Sequence, residues 1–373
     1  MKKILKKLFY KLERYFGLKV FKAFDELKIS IRKRLQYYIK KKSKKKELVF
    51  LISSKAEERI LGPCVEYITR HFHEKVVVLL IGDYTSPQNE LITMMKHQTE
   101  LLQFDLTAYK GLVCCLNFRN YPKYHHIGLR LTNAFNDLEL PTYCIQHGGG
   151  MLDNLNGMLT SVSNTLLVWN RFTFDYMKKK ECKKEVKIIG NPAWAVWNQM
   201  LNEPVPASDK LRLVIATCLH SEYDSYLDSD KLYADYLELL SESIDRKKYE
   251  IVVMPHPVDN DFHLKMYKKY FDNVNSSGKS IYSEIMNSDI LISRSSTVME
   301  EANFLGITVV GFDIVPNGPL SNYLLIQQDP EVLKFNNKND LKKFLDNFSP
   351  SEKTGRLARK FNTELLDELK VLL

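Results

Sequence analysis

From Glu47 onward, short apolar runs bounded by polar residues recur along the chain: ELVFLISS, KVVVLLIGD, GLVCCLNF (111–118), PTYCIQH (141–147), TLLVWN (165–170) and VKIIGN (186–191). Stretches with helical spacing, such as GPCVEYITRHFH, separate several of them. Continuous apolar strands alternating with helices predict a parallel sheet covered on both faces. Around Glu203 the polar stretch NEPVPASD, with two prolines, reads as a linker. The alternation then restarts with LRLVIATC (211–218), YEIVVMPHP (249–257), SDILIS (288–293) and ITVVGFD (307–313), which predicts a second sheet. From Ser351 a charged helix with apolar Leu357, Phe361, Leu365, Leu366 and Leu369 is expected to close the second unit.

The first 46 residues have a different texture. Leu5, Leu8, Phe9, Leu12, Tyr15 and Phe16, then Val20, Phe24, Leu27, Ile31, Leu35, Tyr38 and Ile39, fall at steps of three and four, with lysines on the opposite face. The run from Lys40 to Lys46 closes this amphipathic segment. Of the 54 Lys/Arg, 18 lie within 1–46 against three of the 45 acidic residues, giving the arm +15 and the remainder −6 within a total of +9. A basic amphipathic helix with interleaved aromatics suits an anionic membrane surface. The alternative is a helix packed on the body with a solvated basic face. The chain therefore divides into an arm (1–46), an N-terminal α/β domain (47–203) and a C-terminal α/β domain with the terminal helix (204–373).

Composition narrows the class. With 45% hydrophobic and 27% charged residues, the 373-residue chain is neither collagen-like nor disordered nor a disulfide mini-protein. A nucleic-acid enzyme concentrates positive charge around its working cleft, whereas this body is mildly acidic, so no nucleic-acid partner is expected. No apolar run reaches the roughly 20 residues that cross a bilayer, and the N-terminus lacks a secretory h-region. The six cysteines form no CxxC pair and read as buried, reduced thiols. These features predict a cytoplasmic protein, peripheral on the inner face of the cell membrane.

Candidate chemistry gathers at strand ends, where open α/β sheets bind ligands. One predicted strand runs into His147 and then Gly148, Gly149 and Gly150. Such glycines let a backbone approach a ligand, and a rim histidine suits general-base work near neutral pH. In the second unit, Met254-Pro255-His256-Pro257 ends a strand and holds His256 at the rim. A third site follows SDILIS: Arg294, Ser295, Ser296 and Thr297 open a helix carrying Glu300 and Glu301 one turn in. Free N–H groups and hydroxyls there suit an anion, and the carboxylates suit ribose hydroxyls. Each site has a plainer structural reading: a turn beside a satisfied histidine, a rigid turn, a capped helix. Asp228-Ser229-Asp230 and Asp259-Asn260-Asp261 spell DxD, but neither follows a clear strand, and both read as solvated turns, so no metal site is assigned.

This constellation resembles the GT-B superfamily of glycosyltransferases of bacterial surface-polysaccharide assembly, especially the CDP-glycerol glycerophosphotransferase group and the CMP-sialic acid and CMP-Kdo transferases. His256-Pro257 is similar to the His-Pro turn of the CMP-sugar enzymes, Ser295-Ser296 to their paired serines, and His147-Gly148 to the His-Gly pair that supplies the base in the polyol-phosphate group. Gly190-Asn191-Pro192 resembles the strand end closing the first domain of UDP-sugar 2-epimerases. The sialyltransferases' acidic motif is absent, as is the basic residue that follows His-Gly in the polyol-phosphate enzymes. The resemblance implies two Rossmann-like domains facing a cleft, with the nucleotide mainly on the second and the base from the first. It further implies transfer of a sugar from a CMP-, CDP- or UDP-linked donor to a lipid-linked or glycan acceptor, without a cofactor. Polyol-phosphate transfer, 2-epimerisation and a non-catalytic membrane scaffold are the alternatives.

Overall fold

The computed structural model describes residues 47–80, 92–96, 106–120, 126–150, 152–193, 209–217, 230–256, 259–275, 281–314, 326, 329, 331–350 and 363–373. The basic arm, the proline-containing linker and Pro257 lie outside them.

The first domain runs β1 (Glu47–Ile52), α1 (Lys55–His71), β2 (Val76–Leu80), β3 (Ile92–Lys96), β4 (Tyr109–Cys114), α2 (His126–Asn136), β5 (Thr142–Ile145), α3 (Leu152–Leu159), β6 (Thr165–Val168), α4 (Arg171–Lys179) and β7 (Glu185–Ile188). All its pairings are parallel, in the order β3-β2-β1-β4-β5-β6-β7. β1 shows why the apolar runs are continuous. Leu48, Phe50 and Ile52 join α1 residues such as Leu61, Val65 and Ile68 in one core, while Val49 and Leu51 pack with Leu131 and Phe135 of α2 on the other face. Strand side chains alternate between faces, so a strand covered on both needs apolar residues throughout.

The second domain runs β8 (Leu211–Ala216), α5 (Asp230–Ser243), β9 (Tyr249–Met254), α6 (Asp261–Tyr270), α7 (Ile281–Met286), β10 (Ile290–Ser293), α8 (Val298–Phe304), β11 (Thr308–Phe312), β12 (Leu333–Phe335) and α9 (Lys338–Asn347). Its parallel sheet has the order β12-β11-β10-β8-β9. Counted within the domain this is the 2-1-3-4-5 arrangement, whose order reverses between β8 and β10. In the first sheet the reversal lies between β1 and β4. Two Rossmann-like α/β domains, each with its own two-sided core, are therefore present, as the sequence pattern predicts.

Two strands escape the pattern: β3 (ITMMK) and the three-residue β12 (LKF). The C-terminal segment departs further. Its described part, Thr363–Leu372, is a 3-10 helix, and Leu366, Leu369 and Leu372 are buried in the α1–β1 core of the first domain rather than against the second. Tyr67 donates to the Asp367 carboxylate at 3.1 Å and Tyr143 to the Val371 carbonyl at 3.3 Å. The apolar face of this segment joins the buried residues of α1, a pairing across some 300 residues that local pattern does not reveal. Conversely, Ala193, just beyond the Gly190-Asn191-Pro192 exit, packs in the second domain's core.

Candidate active site

The first strand-end cluster is built by β5 and β6. Gln146 is buried, accepts from the Trp169 N–H at 3.0 Å and donates to the Gly148 carbonyl at 3.2 Å, so it fixes the loop that carries His147. Gly148 has φ +71°, a conformation that favours glycine. His147 is half-buried, and its Nδ1 makes no hydrogen bond among the described residues. Burial holds the imidazole below its ordinary pKa, and the charge of Arg59 pushes the same way. At neutral pH it is the neutral form that a general base requires.

At the first sheet's reversal point stands the Glu57 carboxylate. It accepts from the Ser53 N–H at 2.7 Å, the Ser53 hydroxyl at 2.6 Å and, on its other oxygen, the Leu116 N–H at 3.2 Å. A buried side chain thus fills the crevice between β1 and β4 where such a sheet would take a phosphate. The second domain's crevice carries no such carboxylate plug among the described residues. There the Ser293 hydroxyl donates to the Ala216 carbonyl at 2.8 Å and accepts from the Ser296 N–H at 3.1 Å, linking β8 to β10 and setting the turn that presents Ser295 and Ser296, both partly exposed.

His256 is held by a buried network. Asp259 accepts on Oδ2 from the His256 N–H (2.8 Å), the Thr217 hydroxyl (2.9 Å) and the Tyr267 hydroxyl (2.8 Å). The Thr217 oxygen also accepts from the His256 N–H at 2.7 Å. This overturns the solvated reading for Asp259, whereas Asn260 and Asp261 are exposed as expected. The Asp259 side chain is 1% exposed, and Asn260 caps α6 through the Phe262 and His263 N–H groups. Burial lowers the His256 pKa; Asp259 opposes this and Arg59 adds to it.

The two clusters meet face to face. The Gly150 N–H donates to Glu300 Oε2 at 2.5 Å, and the Asn170 side-chain amide donates to Glu300 Oε1. A Cβ on Gly149 would lie 2.7 Å from Glu300 Oε2 and 3.1 Å from both Cβ and the carbonyl oxygen of Thr297. The close approach expected of Gly149 and Gly150 is therefore made to the opposite domain. Glu300, expected to take ribose hydroxyls, is committed in this arrangement to Gly150 and Asn170. Burial raises its pKa to about 7 despite those two donors. Glu301, also buried, is raised to about 8, with Arg59 opposing and Glu300 adding to the shift.

Arg294 is likewise placed differently from expectation. It is 2% exposed, and its Nε donates to Asp313 Oδ1 at 3.0 Å at the end of β11. A guanidinium that deep must be paired, so it braces the strand ends from within and does not face the cleft. Thr297 occupies the helix-cap position without a side-chain cap bond. What the structure brings together is the Gly149-Gly150 loop after His147 with Thr297 and Glu300 after the Ser295-Ser296 turn, and residues with no distinctive motif support it: Asn170 at Glu300, and Gln146 beneath the loop. Arg59, exposed on α1, acts electrostatically on His147, His256 and Glu301 at once. Among the described residues no group of three or more His, Cys, Asp or Glu side chains is arranged to hold a metal, and no helix is long and apolar enough to cross a membrane. The four described core cysteines, Cys64, Cys114, Cys115 and Cys144, are buried thiols whose pKa burial raises.

Two parallel Rossmann-like domains whose strand ends face one another across a cleft define the GT-B fold. Solved structures agree. The chain is similar to a candidate UDP-N-acetylglucosamine 2-epimerase from Listeria monocytogenes (13% identity, 88% of this chain and 95% of that one, TM-score 0.61). It is similar to S. aureus MnaA in a co-structure with UDP (10%, 87% and 95%, TM-score 0.57). It also resembles the wall teichoic acid polymerase TagF, solved as a variant with a histidine replaced by alanine (16%, 95% and 96%, TM-score 0.55). At these identities the likeness is one of fold. No protein-family model and no curated protein sequence matches the chain.

Proposed function

We propose that this protein is a metal-independent GT-B glycosyltransferase that moves a sugar from a nucleotide-activated donor (CMP-, CDP- or UDP-linked) to a membrane-linked glycan of a capsule, lipopolysaccharide or teichoic-acid-like polymer. The observation that carries the reading is the contact between the loop that follows His147 in the first domain and the helix start that follows Ser295-Ser296 in the second, Gly150 donating to Glu300 and Gly149 lying against Thr297. In the reaction, the bond from the sugar's anomeric carbon to the donor phosphate oxygen breaks and its electron pair leaves with the nucleotide. The acceptor hydroxyl oxygen forms the new bond, and His147 takes its proton. The His256 turn and the serine hydroxyls stabilise charge on the departing phosphate. The nucleotide base and ribose belong to the second domain, in keeping with the Glu57 carboxylate that fills the first domain's crevice. The arm, residues 1–46, holds the enzyme peripherally on an anionic inner membrane face, next to its acceptor.

The fold likeness to TagF favours a close variant, polyol-phosphate transfer, and that to the epimerase favours 2-epimerisation at the same cleft. A thermal-shift panel of CMP, CDP, UDP, GDP and ADP without added metal tests the reading. A ligand at a hundredfold excess over Kd stabilises by about 2.7 kcal/mol, a midpoint shift of a few degrees. A cytidine nucleotide is expected to give the largest shift and UDP the next. No shift with any of them at millimolar concentration removes the transferase reading and leaves a scaffold. Product formation from a UDP-sugar without acceptor selects the epimerase.

A further inference from the structure

Resting on that reading, we infer that Glu300 is a positioning residue for His147: the second domain supplies the carboxylate that closes a hydrogen-bonded circuit around the loop of the base. The loop from Gln146 to Gly150 is held at both ends. At its start the buried Gln146 side chain accepts from the Trp169 N–H at 3.0 Å and donates to the Gly148 carbonyl at 3.2 Å. At its end the Gly150 N–H donates to Glu300 Oε2 at 2.5 Å. The other carboxylate oxygen accepts from the side chain of Asn170, the residue that follows Trp169. The circuit runs from Glu300 through Gly150, Gly148, Gln146, Trp169 and Asn170 back to Glu300, with His147 inside its clamped segment.

Every member of the circuit but Glu300 belongs to the first domain, and the first-domain members are fixed by bonds of their own. The Gln146 N–H continues the β5–β6 ladder to the Leu167 carbonyl at 2.8 Å. Asn170 caps α4, its Oδ1 accepting from the Thr173 N–H at 2.9 Å, so its amide N–H2 is presented to Glu300 from a rigid frame. Gly148, Gly149 and Gly150 are the contrast. They have no side chains with which to pack, and glycine is the residue that loses most freedom on being ordered. Among the described residues the far end of the loop is therefore tied by Glu300, through hydrogen bonds strengthened by the carboxylate's charge. With that carboxylate withdrawn, the loop keeps only its Gln146 tie. The orientation of His147 is thus a property of the two domains in contact: closure assembles the base, and an open cleft leaves it out of register.

The test uses diethyl pyrocarbonate, which acylates accessible neutral imidazole, on the full chain at neutral pH, read at His147 by peptide mass spectrometry. The exposed His73 serves as internal standard and the melting midpoint as a check on folding. Glu300→Gln leaves an amide N–H facing one of the two donors, and Asn170→Asp sets a second carboxylate against Glu300. The two changes together restore a donor opposite an acceptor, and aspartate still caps a helix. Each single change is expected to speed His147 modification by about tenfold, the scale of one hydrogen bond to a charged group, and the double change to return it to the wild-type rate. Gly149→Ala, which parts the same contact without altering charge, is expected to speed it as well. Unchanged modification in the single variants, or a rise that the double variant does not reverse, overturns the inference. These rates require no substrate, so they are decided apart from the transferase reading. If no nucleotide binds the wild type, that reading falls and His147 loses its role as base, whatever the rates.

Discussion

The Glu300 carboxylate of the second domain accepts a hydrogen bond from the Gly150 N–H of the first at 2.5 Å, directly beside the loop that carries His147. The spacing between the two strand-end clusters therefore depends on one carboxylate and a loop of glycines. Gly149→Ala puts a methyl group within 2.7 Å of Glu300 Oε2 and 3.1 Å of Thr297, so the domains must part by some tenths of an ångström or more. Misplacement of about 1 Å costs roughly a hundredfold in rate. The expected outcome is a kcat lowered by ten- to a hundredfold with the melting midpoint nearly unchanged, read by steady-state kinetics and calorimetry.

His147→Ala should lower turnover by roughly 10²–10⁴ and leave nucleotide affinity intact. Because burial lowers the His147 pKa, the acid limb of kcat/KM should fall below the ordinary histidine value of about 6.5. A kcat/KM–pH profile reads this, and near-normal turnover of the alanine variant would place the base elsewhere.

Asp259→Ala should be costly in a way its position in a charged turn does not suggest. Removing the carboxylate strands the His256 N–H and the Thr217 and Tyr267 hydroxyls. Each buried group left unsatisfied costs about 1–3 kcal/mol, and the shared Thr217 contact to His256 moderates the sum. Urea denaturation should show a loss of about 3 kcal/mol, and titration should show weakened nucleotide binding. A loss under about 0.5 kcal/mol, the usual range for surface sites, would refute the network's role.

The contribution of Glu300 and Glu301 to stability should decline from mildly acidic to mildly alkaline pH, against the opposite trend from His147 and His256. Glu300 has a folded pKa of about 7, above its ordinary 4.5, so the folded state binds a proton that the unfolded state releases. That contribution is complete below 4.5 and is lost as pH rises through about 7. Glu301 extends the window to about 8. Glu300→Gln carries a fixed cost, since its amide faces the Asn170 amide, but it does not titrate. Relative to wild type it should therefore gain between pH 5 and 8, by at most a few kcal/mol at about 1.4 per pKa unit. Parallel denaturation curves at those two pH values check the sign.

Deleting residues 1–46 should release the protein from anionic vesicles while the body stays folded. Each basic residue near such a surface contributes about 1 kcal/mol, and 18 are present in the arm. Co-sedimentation that survives the deletion would assign membrane binding to the body.

Much of this was legible in advance because a strand buried on both faces writes itself as an unbroken apolar run. Val76–Leu80 and Ile290–Ser293 are of that kind. Ile92–Lys96 ends in lysine and Leu333–Phe335 is three residues long, so neither carries enough pattern. The strand-end histidines were visible through their glycine and proline neighbours. What they are built on was not. Asp259 looks like any acidic turn residue until Thr217 and Tyr267 close on it, and Asn170 looks like an ordinary surface residue until Glu300 of the other domain accepts from it. Arg294 shows the reverse: in a serine-rich turn it reads as a ligand contact, but only tertiary structure supplies Asp313 as its partner. Motifs disclose the rim of such a site, whereas its supports are distributed over distant segments.

The 3-10 helix at Thr363–Leu372, sealed into the first domain beside α1, means that the polypeptide leaves that domain and comes home to it. The second domain is thereby suspended from two passages of chain. Both ends of the second domain's chain therefore lead into the first, and the last residues of the sequence belong by packing to the domain that comes first in it.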